Sequence, residues 1–214
     1  MSMIMNDYAG ERTGNVSKES RSRSRQARYE HILETAARVF GRSGYAEATI
    51  QQIAAELDMT GAALYYYFKN KDELLYEIWR RAGAKLQAMI EDVLKLDATP
   101  EEKLRLAFRR HLEVIMADKP IFEVLILQRT RLPEYGREQL VEDERTYVRT
   151  FSTLLEQLPE ETLGGRHPRI VTLGIISTLN AVIRWYSSNE KLSLGEIADI
   201  YYRIFLNGAF KPSS

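Results

Sequence analysis

The fold is decided by the stretch TIQQIAAELDMTGAALYYYFKNK, residues 49–71. Thr49 and Gln52 form a capping-box pattern that begins one short helix, and Thr60 is a good N-cap for a second. The second helix opens on small residues at positions 61–63, which cannot shield its backbone. A core helix carries bulky apolar residues there, whereas a helix that enters a DNA groove can begin with small ones. The stretch therefore predicts a helix-turn-helix.

The apolar residues of the two short helices fall on the faces that such a motif needs. Ile53, Ala54 and Leu57 share one face of the first helix. Leu64 and Phe68, four residues apart, share the inner face of the second. We expect these five side chains to pack together and to leave the opposite face of the second helix free.

The opposite face carries the groups that would meet DNA. Small residues at its tip let the backbone approach base edges, and an alanine methyl can touch a thymine methyl. Hydroxyls at Tyr65 and Tyr66, and the amine of Lys71, can reach phosphates and so position the protein. The alternative, a packed cluster of the tyrosines at 65–67, does not explain the three small residues that precede them.

The rest of the chain also has helical patterns, and no strand-like alternation extends beyond four residues. An apolar stripe begins after Arg25, and Gly44 ends that helix. A capping pattern at Asn70 and Glu73 begins a long helix that reaches about Leu96. The fold class is therefore all-α. Further helices are predicted at 101–118, 120–132, 134–157, 168–188 and 193–209, with a loop at 158–168.

Composition constrains the class of protein more loosely. Lysine plus arginine and aspartate plus glutamate both number 30, and there is no cysteine, which excludes disulfides and thiolate metal sites. Neither a signal peptide nor a membrane-spanning run is found, so we expect a soluble, cytoplasmic protein. Residues 1–24 are polar and are expected to be mobile; they are either a DNA-tracking arm or a solvated tail. Between positions 12 and 28, Glu19 is the single acid, and the bases are Arg12, Lys18, Arg21, Arg23, Arg25 and Arg28.

The segment Ala36–Leu75 resembles the DNA-binding domain of the TetR family of transcriptional regulators. The resemblance implies phosphate contacts and groove contacts from the helix-turn-helix. Asp58 departs from the glycine usual in the turn, and Tyr66 and Tyr67 replace histidines common there. The matching residues are Phe40, Gly44, Tyr45, Thr49, Ile53, Ala54, Met59, Thr60, Leu64, Tyr65, Tyr66, Tyr67, Phe68, Lys71, Leu74 and Leu75. The implied phosphate contacts are Thr49, Thr60, Tyr65, Tyr66 and Lys71, and the implied groove contacts are Gly61, Ala62 and Ala63.

The same resemblance implies three parts: an arm at 1–24, the DNA-binding domain at 25–75, and a helical ligand-binding and dimerisation domain at 76–214. Small residues in helix 168–188 and an apolar face in helix 193–209 could close a four-helix dimer interface, or could pack within one chain. A two-fold dimer would bind a palindromic operator in double-stranded DNA. The residues concerned are Gly174, Ser177, Thr178 and Ala181 in the first helix, and Ile197, Tyr201, Ile204, Phe205 and Gly208 in the second.

The effector pocket has two polar candidates. His111 lies on the apolar stripe of its helix, either as a satisfied core residue or as a ligand contact. Arg184 is predicted to share a stripe with Asn180 and to point inward, where a guanidinium needs an acidic or carbonyl partner. The C-terminal region resembles regulators of fatty-acid and steroid catabolism, which implies an acyl-CoA effector. Arg184 would then face the CoA part, and Phe108, Phe122 and Leu125 would line an acyl tunnel.

Three function classes remain, of which a dimeric, ligand-released repressor is preferred. An all-α enzyme is disfavoured, because His31, His111 and His167 are the only histidines and no nucleophile–base pair or metal site can be assembled from them. No cofactor is expected beyond a small-molecule effector. A helical protein that sequesters a ligand or binds a partner without binding DNA is the alternative, and the intact pattern from Thr60 to Lys71 argues against it.

Overall fold

The computed structural model describes residues 9–127, 134–187 and 189–207. Its regular structure is helical and the described residues contain no strand, which confirms the all-α prediction. Among the same residues, no helix combines the length and the apolar character needed to cross a membrane. The helices are α1 (Ala9–Ser43), α2 (Ile50–Glu56), α3 (Gly61–Tyr65), α4 (Lys71–Leu94), α5 (Pro100–Ala117), α6 (Lys119–Leu127), α7 (Arg137–Glu156), α8 (Glu160–Leu163), α9 (Pro168–Ala181) and α10 (Leu194–Asn207).

The helix-turn-helix packs on the second half of α1, as the apolar pattern predicts. All five side chains predicted to face inward from α2 and from residues 64–68 are buried, and they join Ala36 and Phe40 of α1 in one core. Gly44 follows α1 in the left-handed conformation, with φ of +78°, and its amide donates to the carbonyl of Phe40. The three helices therefore form one small apolar platform.

The first helix begins earlier than predicted, at Ala9 and not near Arg25. The start near Arg25 was predicted from an apolar stripe, which indicates where a helix is buried. A helix can extend beyond its buried part through polar residues, as α1 does here. No proline interrupts residues 9–43. The side chains of Arg12, Lys18 and Arg21 lie outside the part that the structure describes, whereas Arg23, Arg25 and Arg28 are exposed on α1.

The α4 helix joins the N-terminal and C-terminal halves of the chain. It packs against α1 on one side and against α5, α6 and α7 on the other. Its buried residues run from Leu74 in the first turn to Val93 in the last. The start predicted from the capping signal at Asn70 is confirmed, because the Asn70 side chain accepts from the Glu73 amide at 2.7 Å. The helix ends at Leu94, close to the predicted end near Leu96.

Polar contacts add to the apolar packing between α1 and α4. The Tyr29 hydroxyl donates to Glu77 at 2.8 Å, and the Arg81 guanidinium lies 3.2 Å from the Glu34 carboxylate. Arg81 also lies 3.5 Å from the carboxylate of Asp118, which follows α5. A displacement of α4 would therefore act directly on the helix that supports the DNA-binding motif.

Several helix ends in the C-terminal half differ from the prediction. The predicted helix 168–188 ends at Ala181 and tightens into a 3₁₀ turn over Val182–Arg184, where Val182 and Ile183 are both buried. The predicted loop 158–168 contains the single turn α8. Helix α7 begins three residues late, after the left-handed Gly136. Residues 128–133, which include the end of the predicted helix 120–132, lie outside the described residues, as does Gly208.

Gly136 provides a test of this packing. A Cβ atom added there would lie 2.2 Å from the Tyr76 ring, in a backbone with φ of +70°. We expect Gly136→Ala to destabilise the fold by about 2–4 kcal/mol, from the left-handed strain and from displacement of the ring. Gly165→Ala, with φ of +75° and open space around it, is the matched control and should cost only about 1–2 kcal/mol. Urea unfolding measures both, and equal losses would contradict the predicted close approach.

Candidate DNA-binding surface and effector cavity

The surface predicted to meet DNA is exposed around α3. Tyr65 and Tyr66 are 50% and 72% exposed, which contradicts the packed-cluster alternative for these two rings. Tyr67 is half-buried, with its ring edge-on to that of Tyr66. Helix α3 ends at Tyr65, so Tyr66 lies at its C-terminal cap and not within the helix. Thr49, Thr60 and Ala62 are exposed, and Gly61 and Ala63 are half-buried.

Local hydrogen bonds fix the positions of both short helices. The Gln52 amide donates to the Thr49 hydroxyl, and the Gln52 side chain accepts from the Thr49 amide, which completes the predicted capping box. The Thr60 hydroxyl accepts from the Ala63 amide at 3.1 Å. Asp58 takes the left-handed conformation in the turn, with φ of +52°, as expected for the residue that replaces glycine. The turn is therefore built from the residues that the sequence indicated.

Lys71 has a different environment from the one expected of a phosphate contact. Its amine donates to the carbonyls of Tyr45, Ala46 and Ala48 at 2.7, 3.1 and 2.9 Å. It also lies 4.5 Å from the centre of the Tyr45 ring. An ammonium has three donors, and all three are used here. Lys71 thus fastens the start of α4 to the loop that precedes Thr49, and a phosphate would have to displace one of these bonds.

Helix α1 brings positive charge to the same surface. The guanidinium of Arg25 lies 5.9 Å from the centre of the Tyr66 ring, within the range of a cation–π contact. Arg28 donates to the Leu57 carbonyl at the C-terminal end of α2, at 3.3 Å. The position of Arg25 beside an exposed tyrosine could not be inferred from the sequence, which showed only a basic segment.

A cavity of about 160 Å³ lies between α4, α6, α7 and α9. Its walls are mainly apolar, and Asp143 and Glu144 belong to its lining on α7. Of the predicted pocket residues, Leu125 and Asn180 line it. The other lining residues are Trp79, Gly83, Leu86, Ile126, Tyr147, Val148 and Ile176.

His111 lies behind this cavity as a fully buried, hydrogen-bonded side chain. Its Nδ1 is 2.8 Å from the Tyr147 hydroxyl, and its Nε2 is 3.0 Å from the Asn180 side-chain oxygen. Burial lowers the pKa of His111 to about 4, so the ring is neutral and carries one N–H. With the Asn180 oxygen at Nε2, that hydrogen is on Nε2, and Tyr147 donates to Nδ1. His111 is a satisfied core residue that positions two cavity side chains.

The other predicted pocket residues do not meet at this cavity. Phe108 is fully buried and packs edge-on against Tyr202 and Phe205 of α10. Phe122 is also fully buried, and neither phenylalanine belongs to the cavity lining. Arg184 is exposed, because the 3₁₀ turn removes it from the stripe that it would share with Asn180 in a continuous α-helix. The inward guanidinium expected from the sequence is therefore wrong.

Sequence reasoning missed the α4 wall of the cavity. Trp79, Gly83 and Leu86 recur at spacings of four and three, which places them on one face of α4. That spacing was visible in the sequence, but it does not tell a cavity wall from a closed core. Within the described ranges, no group of three or more histidine, aspartate or glutamate side chains could hold a metal ion.

Comparison with known proteins identifies the class. Residues 32–78 match the model for bacterial regulatory proteins of the tetR family, and residues 97–209 match that for the tetracyclin repressor-like C-terminal domain. The second match alone covers more than half of the chain. The chain belongs to the TetR family of DNA-binding transcriptional regulators, and members of this family are not enzymes.

Individual relatives cover most of this chain. It is 22% identical to the fatty acid metabolism regulator protein of Bacillus subtilis, over 87% of this chain and 97% of that protein. It is 27% identical to the transcriptional repressor KstR2 of Mycobacterium tuberculosis, over 84% and 92%. The structure of AibR in complex with isovaleryl coenzyme A and operator DNA shares the fold, with a TM-score of 0.74 at 24% identity, over 84% of this chain and 98% of AibR.

The exposed tyrosine hydroxyls can be tested without removing the rings. We expect Tyr65→Phe with Tyr66→Phe to weaken operator binding about tenfold, since each variant side chain would lose the predicted hydrogen bond to a phosphate. Thermal stability should be unchanged because both side chains are exposed. Fluorescence anisotropy with labelled operator measures the affinity. Tyr135→Phe, at an exposed tyrosine outside this surface, is the control, and wild-type affinity in the double variant would remove the two hydroxyls from the interface.

Substitution of Lys71, with Lys69 as the control, distinguishes a structural role of the Lys71 amine from contact with a phosphate. Lys71→Met removes three hydrogen bonds and is expected to destabilise the protein by about 1–3 kcal/mol. Lys69 is exposed, so Lys69→Met should leave the stability unchanged. Thermal unfolding without DNA measures both variants. A Lys71→Met protein of wild-type stability, with weaker DNA binding and a shallower salt dependence, would instead show that Lys71 contacts phosphate.

Proposed function

We propose that the chain is a dimeric repressor that binds a palindromic operator and is released from it by an acyl-CoA thioester. The observation that carries the DNA-binding part is the exposed surface around α3, where small residues lead into two exposed tyrosines. We place the DNA-binding domain at 25–75 with an arm at 1–24, and the effector and dimer functions at 76–214. The phosphate contacts proposed from described geometry are Thr49, Thr60, Tyr65 and Tyr66, with Gly61, Ala62 and Ala63 in the groove.

An exposed face on α9 and α10 supports the dimer. Helical spacing places Ile170, Ser177 and Ala181 on one side of α9, where all three are exposed and Ile170 is 61% exposed. Ile204 of α10 is 38% exposed. Gly174 packs within the chain instead, since a Cβ added there would lie 3.6 Å from the Phe205 ring. The packing of α9 against α10 within the chain thus leaves their outer, apolar side exposed, where a second copy of the chain could bind.

Two observations support an acyl-CoA effector. AibR is described in complex with isovaleryl coenzyme A, and the B. subtilis relative is named as a regulator of fatty acid metabolism. The cavity between α4, α6, α7 and α9 is mainly apolar and borders the helix that also packs on α1. An acyl group that fills the cavity would favour one position of α4 over another, which is the differential affinity that release requires.

The mechanism follows from the contacts of α4. In an operator-bound dimer the two α3 helices must lie about one DNA turn apart, roughly 34–36 Å. A ligand that displaces α4 would also move α1, because the Tyr29–Glu77 and Glu34–Arg81 contacts join the two helices. It would move the loop before Thr49 as well, because Lys71 is bonded to that loop. Both α3 helices would then lose the spacing of the half-sites. KstR2 is named as a repressor, which agrees with release as the outcome.

The proposal is tested with purified protein and the DNA upstream of its own gene. We expect a dimer in sedimentation equilibrium and specific binding in anisotropy measurements with excess nonspecific DNA. At least one acyl-CoA ester should weaken that binding by tenfold or more, whereas CoA alone should not. Ile170→Glu with Ile204→Glu should give monomers with weaker operator binding, because charge is placed in an apolar interface. Specific binding that no ester changes would contradict the effector class and retain the DNA-binding function.

A further inference from the structure

The volume of the cavity limits how much of an acyl group it can enclose. A cavity of about 150 Å³ is large enough for benzene, so the 160 Å³ found here corresponds to ~6 carbon atoms. The walls at Leu86, Ile126 and Val148 are aliphatic, and the carboxylates of Asp143 and Glu144 also belong to the lining, so the cavity would disfavour a negatively charged group. A long fatty chain would need several times this volume.

Two N–H donors in the lining have no acceptor among the described residues. The indole nitrogen of Trp79 is buried without a hydrogen bond, and the whole side chain is only 5% exposed. Asn180 uses its oxygen to accept from His111, which leaves its amide NH₂ without a partner in the described part of the chain. The buried, unpaired indole N–H of Trp79 costs about 1–3 kcal/mol, which a ligand oxygen could recover. Asn180 is half-buried, so its NH₂ adds a second donor that water can also reach.

We propose that the cavity binds a short acyl group of about six carbons or fewer, whose carbonyl oxygen accepts from Trp79 and Asn180. This inference rests on the proposed acyl-CoA effector and narrows it. The carbonyl supplies the acceptor that both donors lack, and the alkyl part fills the aliphatic end. His111 is a positioning residue here, because it holds the oxygen of Asn180 and so keeps the amide NH₂ toward the ligand.

A groove beside the cavity has the charge that the CoA part requires. Arg145, Arg149 and Arg169 line a space of about 420 Å³ that shares Glu144 and Val148 with the cavity. Glu142 pairs with Arg145 at 3.6 Å and with Arg149 at 2.7 Å. With Glu144, two carboxylates thus face three guanidinium groups, and the groove keeps one net positive charge, which suits the phosphates of CoA. We therefore expect Arg145 and Arg149 of α7 and Arg169 of α9 to contact the CoA part, in place of the exposed Arg184.

The test compares thioesters with thioethers of the same chain length. Butanoyl-CoA and S-butyl-CoA differ in the carbonyl oxygen, and isothermal titration of the full chain gives the affinity of each. We expect the thioester to bind about tenfold more tightly, because only it can satisfy the two donors. Dodecanoyl-CoA should bind at least tenfold more weakly than butanoyl-CoA, since its chain exceeds the cavity.

Variants assign the preference to the two donors. Trp79→Phe removes the indole N–H and keeps an aromatic wall, and Asn180→Asp keeps an acceptor for His111 while it removes the NH₂. Each should reduce the thioester preference to about threefold or less. Trp185→Phe is the matched control, because Trp185 is exposed and outside the cavity lining. It should retain the tenfold preference, and it leaves Trp79 as the single tryptophan, so that its fluorescence reports on the cavity.

The outcomes separate this inference from the proposed function. Equal affinity for thioester and thioether, an unchanged preference in both cavity variants, or tighter binding of dodecanoyl-CoA would overturn the short-acyl site and leave an acyl-CoA effector in place. No binding of any thioester would overturn both the site and the effector class. The titrations contain no DNA, so a failure to recognise the operator would not affect their result.

Discussion

Burial of one apolar face along α4 is the constraint on which both halves of the chain depend. The buried residues extend from Leu74 to Val93, so one helix completes the core beneath the DNA-binding motif and also forms a wall of the cavity. Its 24 residues span ~36 Å at a rise of 1.5 Å per residue. Trp79 lies about two turns from Lys71 at the start of the same helix. A rigid displacement at the cavity would therefore reach the DNA-binding half with little loss.

The polar contacts of α4 determine which parts of that half follow it. Lys71 is bonded to the carbonyls that precede Thr49, and Glu77 and Arg81 are bonded to α1. These bonds are charge-assisted, so the N-terminal half of α4, the α1–α2 loop and α1 form one mechanical unit. Among the described residues, the motif is connected to the C-terminal half mainly through α4 and through the packing of α1 on α6. Both routes end on helices that border the cavity.

The helix-turn-helix could be predicted from the sequence because its determinants are local. Caps at Thr49, Thr60 and Asn70, and the left-handed Asp58, are set by backbone bonds within a few residues. The cavity depends on how four helices cross, which periodicity does not determine. Phe108 and Leu125 were assigned to one tunnel, yet Phe108 packs toward α10 and Leu125 faces the cavity. Arg184 was misplaced because a 3₁₀ turn changes the angle per residue, which a pattern drawn for an α-helix does not anticipate.

Gly83 shows how the specificity of this cavity could be altered. A glycine within a helix destabilises it by about 1 kcal/mol relative to alanine, yet Gly83 lies in the middle of α4. A Cβ atom there would have nothing within 4 Å, and the residue lines the cavity. The empty volume is thus maintained at the expense of helix stability. Progressively larger side chains at this position would reduce the length of ligand that fits in the cavity and would stabilise the helix. The donors at Trp79 and Asn180 would not change. The side chain at position 83 would therefore set how long a ligand the cavity can enclose, and substitutions there could adapt one scaffold to a series of homologous ligands.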